Sequence, residues 1–135
     1  NHRIQFFNFD STGTKFEWAA TVQPPWGKAG TQRPCNLRVA EGMHNSSLNG
    51  MAIVADLGAN DQNEPGAALG QVALLDQRNE VVSVIAISEL IGNQGSIHPH
   101  DAHLLANGDI IVATWNPGRV TYWKKLPSDP TKVFF

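Results

Sequence analysis

The stretch from Ser96 to Leu126, SIHPHDAHLLANGDIIVATWNPGRVTYWKKL, constrains the fold most, because it holds three strand-like runs and two tight turns in about thirty residues. Ala102 to Leu105 is a short apolar run, and Asn107-Gly108 is a hairpin signal. Asp109 to Thr114 alternates or runs apolar, and Gly118 to Lys124 is rich in β-formers. Together they read as one antiparallel meander, a unit expected to recur along the chain.

A copy lies upstream. Pro34-Cys35-Asn36-Leu37-Arg38-Val39 takes the place of Pro99-His100-Asp101-Ala102, and Asn49-Gly50 that of Asn107-Gly108. Ile53-Val54-Ala55-Asp56 corresponds to Ile111-Val112-Ala113-Thr114, and Gly70-Gln71-Val72 to Gly118-Arg119-Val120. A third, partial copy opens the chain, where Asn1 to Phe7 matches the Gly-Arg-Val strand and Asp10 to Phe16 matches Asp76 to Val81. The expected organisation is a partial unit with a connection (1–33), a complete unit with loop insertions (34–95) and a unit with a C-terminal tail (96–135). Because the chain opens in mid-unit, it is expected to be a piece of a longer chain or to be completed by other chains.

In order, Asn1 to Phe9 and Lys15 to Val22 read as paired strands around a turn at Asp10-Ser11-Thr12-Gly13, where Asp and Ser bond the backbone and Gly takes the left-handed corner. Gln23 to Arg33, with two prolines and two glycines, is a connection between units. Glu41 to Leu48 and Gly58 to Leu69 are polar insertions that project from the ends of the sheet. Ser88 to Ile91 is the one candidate helical turn. No longer segment shows a 3.6-residue period, so the chain is read as all-β.

At 135 residues, 41% apolar and 16% charged, the chain has the composition of a soluble globular domain with a real core. A net charge of −2 with scattered basic residues argues against nucleic acid. No window reaches the roughly eighteen apolar residues that a membrane helix needs. The single Cys35 excludes an internal disulfide and leaves the compartment open, while Asn45-Ser46-Ser47 is a glycosylation sequon that hints at export. There is no Gly-rich phosphate loop and no Gly-x-Ser-x-Gly, so phosphoryl transfer and serine hydrolysis fall away.

The recurrent order of Pro, Asn-Gly, Val-Ala-Asp or Val-Ala-Thr-Trp-Asn, then Arg-Val or Arg-Ile, resembles NHL-type β-propeller blades. It is clearest in HPHDAHLLANGDIIVATWNPGRVTYWKKL and NHRIQFF, and resembles the six-bladed propellers that include the peptidyl-α-hydroxyglycine α-amidating lyase domain. The resemblance implies about half a ring of four-stranded blades, with Trp115, Tyr122 and Trp123 at aromatic positions that pack between blades. It is more informative about fold than about reaction, since propellers host many activities.

His98, His100 and His103 fall close together, and regular strand spacing puts His98 and His100 on one face and His103 on the other. Imidazoles on one face can ligate zinc if the fold brings further ligands. The resemblance carries His100 over as a zinc ligand, from its Pro-His-Asp context, and Asp101 to a structural calcium site. The preceding unit has Cys35 where His100 stands, so other zinc histidines would have to come from outside this chain. The alternative for His100 is a cap that bonds the backbone of the inner strand. Asp56 and Asp76 read as turn-formers, and Arg3 and Arg119 as structural ties. Two functions from different classes follow: a module binding a protein, a peptide or other copies of itself through its end loops, or a zinc-dependent lyase-like enzyme. A building block of an extracellular assembly is a third, and a secreted or cell-surface location is expected.

Overall fold

A computed structural model describes residues 3–22, 33–42, 47–58, 70–87, 97–115 and 118–126. All nine elements described are strands: β1 (Ile4–Phe9), β2 (Phe16–Val22), β3 (Pro34–Val39), β4 (Ala52–Asp56), β5 (Gln71–Leu75), β6 (Val81–Ile85), β7 (Pro99–Leu104), β8 (Ile110–Thr114) and β9 (Arg119–Trp123). They form three antiparallel sheets, ordered β1-β2, β3-β4-β5-β6 and β7-β8-β9. Within each sheet every strand pairs with its neighbour in sequence. The Ser88 to Ile91 turn, Asn45 and most of the two polar insertions lie outside the described residues. Among the described residues no helix is long and apolar enough to cross a membrane.

Turn chemistry sets the hairpins. At Asp76, the amide of Asn79 donates to the Asp76 carbonyl, and Asn79 takes a positive φ of 64°. The Asp76 carboxylate accepts from the amides of Arg78 and Glu80 at 2.8 and 2.9 Å. Asp10 repeats the device, accepting from Thr14 and Lys15 around Gly13, whose φ is 68°. In the third sheet Gly108 takes φ 87° while Asn107 stays in the ordinary region, and its side chain bonds Asp109 instead. Glycine is needed there because only it adopts that corner without a Cβ penalty.

The middle sheet is the core of the molecule. Its β4, AIVAD, is buried at every position, because the strand lies inside its sheet and that sheet is packed on both faces. One face sets Ile53, Ala55 and Val72 against Ala102, Leu104, Ile110 and Val112 of the third sheet. The other gathers Ala52, Val54, Ala73 and Leu75, with Ile4 of β1, Leu37 and Val81 packed around them. Period-two side-chain geometry sends alternate β4 residues to the two clusters, so a strand covered on both sides has no polar position to spare.

The seat of the third sheet on the second is β7, which lies on β3, β4 and β5. Gly70, just before β5, permits the approach: a Cβ there would collide with the Ile97 carbonyl oxygen and stand 2.5 Å from Pro99 Cδ.

Leu75 is fully buried and Val82 is 53% exposed, so the two report opposite environments on one sheet. Leu75→Ala is expected to cost about 2–5 kcal/mol in urea denaturation. Val82→Ala should stay within about 0.5 kcal/mol of the parent. Equal losses at the two positions would contradict the packing described.

Candidate functional site

The first strands of the second and third sheets begin with the same irregularity. The β3–β4 ladder shifts register between Pro34 and Asn36, and the β7–β8 ladder shifts between Pro99 and Asp101. Cys35 and His100 are therefore the extra residues of two equivalent β-bulges. Each is flanked by a proline and by a residue paired with an alanine, Asn36 with Ala55 and Asp101 with Ala113. A bulge leaves its extra residue outside the ladder and redirects the side chain, and both Cys35 and His100 are exposed.

The bulge overturns the projection expected from uniform strand spacing. His98 precedes the strand and is buried, 7% exposed, whereas His100 is exposed, so the two imidazoles do not share one face as a pair. His103 is exposed, between the buried Ala102 and Leu104. His98 is a tie between sheets: its Nδ1 lies 2.7 Å from the Leu57 carbonyl oxygen. A carbonyl only accepts, so the proton is on Nδ1. The His98 carbonyl in turn accepts the Trp115 amide at 2.9 Å, and the two rings lie 6.3 Å apart.

Asp101 is also a tie. Arg38 of β3 grips both of its oxygens, Nε donating to Oδ1 at 2.8 Å and Nη2 to Oδ2, while the Ala102 amide donates to Oδ1. The Arg38 hydrogen bonds, foremost, hold the Asp101 carboxyl below its usual 3.8, and Asp101 holds the guanidinium charged. At Cys35, partial desolvation first and the Asp101 charge second push the thiol above its ordinary value. It is thus a poor thiolate at neutral pH.

Asp56 ends β4 as a turn-former. Fully buried, its Oδ1 accepts the amides of Arg33 at 2.7 Å and Gly58 at 2.9 Å. In the third sheet Thr114 holds that slot and bonds the Arg119 carbonyl at 3.2 Å. Arg119 itself is exposed.

The aromatic positions divide. Trp123 packs into the interface of the second and third sheets. Trp115 is 68% and Tyr122 53% exposed, so neither packs between described sheets. Tyr122 instead donates to Asp109, whose other oxygen accepts the Lys125 amide at 2.7 Å. That hydroxyl, more than any other partner, lowers the Asp109 carboxyl.

For metal binding, the described residues do not suffice. Among them no three His, Cys, Asp or Glu side chains converge, and a cation at Asp101 would have to displace Arg38. His98, His100 and Asp101 do not by themselves fit a zinc or calcium ion. No family model, curated protein or solved structure matches the chain. The end of the molecule where β3 and β7 begin thus combines two exposed bulge side chains, an inter-sheet ion pair and an exposed tryptophan. The Arg38 pair and the exposure of Trp115 carried no sequence signal, because both depend on how sheets meet.

A depressed carboxyl stabilises the folded chain above its unfolded value and loses that contribution as pH falls through the folded value. The melting temperature of the parent should therefore fall more steeply than that of Asp101→Asn as pH drops from about 5 to about 2. Both partners are partly exposed, so salt should narrow the gap. Parallel pH curves for the two proteins would show that the pair contributes nothing.

Proposed function

We propose that the chain is part of an NHL-like β-propeller that works as a binding or scaffolding module for a protein or peptide. Its binding surface is the end where β3 and β7 begin. The end of β4 and the start of β5 lie at this same end, where Asp56 pairs with both Pro34 and Gln71. The reading is supported by the recurrence of one plan: the same bulge after a proline, the same ladder, and sheets stacked face to face.

The observation that carries the binding role is Trp115. A large aromatic ring 68% exposed beside His98, at the end that also presents His100, Cys35 and the Arg38–Asp101 pair, is a ready anchor. Exposed aromatics supply much contact area at little cost in side-chain freedom. The polar groups around it supply direction. Nothing in this arrangement requires a nucleophile or a general base.

A second reading, the zinc-dependent lyase-like enzyme, draws on one observation, the release of His100 from the ladder by its bulge. Its remaining ligands would come from outside the described residues.

A random-peptide library is the probe for the binding role. Selected peptides should lose at least about tenfold in affinity on Trp115→Ala, with the melting temperature unchanged. Selected peptides that bind Trp115→Ala equally well would sink this site. Elemental analysis of the purified chain separates the two readings: one zinc per chain, lost in His100→Ala, would replace the binding module with the lyase-like enzyme.

A further inference from the structure

An apolar cleft of about 270 Å³ lies between the second and third sheets. Leu48, Leu74 and Ile85 form its wall on the side of the second sheet, and Leu104, Ile110 and Trp123 its wall on the side of the third. Leu104 and Ile110 are buried, whereas Leu48, Leu74, Ile85 and Trp123 pack against the core cluster and stay half-buried. Packed interiors leave few voids larger than a water molecule. A space of this size between two apolar walls is therefore a place for a ligand.

The mouth of the cleft is cationic. Lys124 and Lys125, which follow directly on β9, complete the lining together with Gly108. The Lys125 amide is fixed on Asp109 at 2.7 Å, and the side chain lies across the hairpin glycine. A Cβ at Gly108 would stand 2.7 Å from Lys125 Cδ, 3.6 Å from its Nζ and 3.7 Å from Leu48 Cδ1. The aliphatic stem thus covers apolar wall, while the exposed residue keeps its ammonium in water. Among the described residues neither lysine forms an ion pair. The carboxylate beside them is Asp109, and its oxygens are already engaged by the Tyr122 hydroxyl, the Asn107 side-chain amide and the Lys125 backbone.

We propose that this cleft binds a free medium-chain aliphatic carboxylate, its chain between the two sheets and its head on Lys124 and Lys125. Facing sheets lie about 10 Å apart, which admits one unbranched chain and rejects a bulky body. Branched aliphatic side chains on both walls suit a flexible chain, and two ammonium groups at one end select an anion. The volume falls just below that of sites for drug-sized ligands, which sets the chain at about eight to twelve carbons. The site is separate from the peptide-binding end. Ile110 pairs with Trp123 at one end of the β8–β9 ladder, and Thr114, next to Trp115, pairs with Arg119 at the other.

The test is a titration of the full 135-residue chain with octanoate, and with octanol as the uncharged control, followed through the indole N–H signals in proton–nitrogen NMR spectra. The Trp123 signal should shift and saturate, while that of Trp115 stays in place. Octanoate should bind at least about threefold more tightly than octanol, the advantage shrinking with added salt. Lys124→Gln with Lys125→Gln should remove that advantage, leave octanol binding unchanged and keep the melting temperature within about 2 °C of the parent. Ile85→Trp, which fills the cleft, should abolish both. The proposal is overturned by a Trp123 signal that does not saturate by about 10 mM octanoate. It is equally overturned by equal affinities for octanoate and octanol, or by shifts at the exposed Trp18 and Trp115 as large as that at Trp123, which would mean adsorption to exposed aromatics. A Trp123 signal that moves with protein concentration alone would place a second copy in the cleft and overturn it too.

Discussion

The two-sided burial of β4 is the constraint on which the rest of the structure depends. A strand that sends Ile53 and Ala55 one way and Ala52 and Val54 the other is stable only if a sheet or part of one covers each face. Fully burying a Val, Leu or Ile side chain is worth roughly 1.5–3 kcal/mol, and an exposed meander of three or four strands forgoes that on half its residues. The second and third sheets are thus packed into each other as one core. Sheet one covers the Ala52 face in part, through Ile4, and β7 covers the Ile53 face.

Among the described residues the buried polar side chains, Asp56, His98, Asp109 and Thr114, stand where strands begin or end, and each is committed. Asp56, fully buried, carries two backbone amides; His98 spans to Leu57; Asp101 is clasped by Arg38. A buried carboxylate or imidazole without such partners would cost more than the packing it interrupts. This places a limit on chemistry, because a group that holds two sheets together is not free to hold a ligand as well. Of the residues brought to this end, His100, Cys35 and Trp115 keep exposed side chains.

Much of the plan was legible in the residues, and the misses have a single physical origin. The antiparallel meanders, the aspartate turns and the correspondence of Cys35 with His100 all depend on local pattern, which period-two alternation and turn chemistry write into the chain. The projection of His98 and His100 from one face was misread because a single inserted residue inverts the parity of everything before it. Exposure of Tyr122 and Trp115 could not be read either, since the sequence records that a face is apolar without recording whether a neighbour covers it. The Arg38–Asp101 pair spans 63 residues and has no local signature.

The equivalent bulges explain how one slot can hold a thiol in one sheet and an imidazole in the next. The bulged residue contributes no ladder hydrogen bond and no buried side chain, so its identity is nearly uncoupled from stability. Its neighbours are tightly coupled. Pro99 is buried against Gly70, and Asp101 is fixed by Arg38, so the backbone that presents position 100 is held from both sides. Such a position can change chemistry without disturbing the fold, while its side chain is still delivered to a defined place. On that argument functional variation in a molecule of this plan should concentrate at the bulge, and the proline before it should vary little.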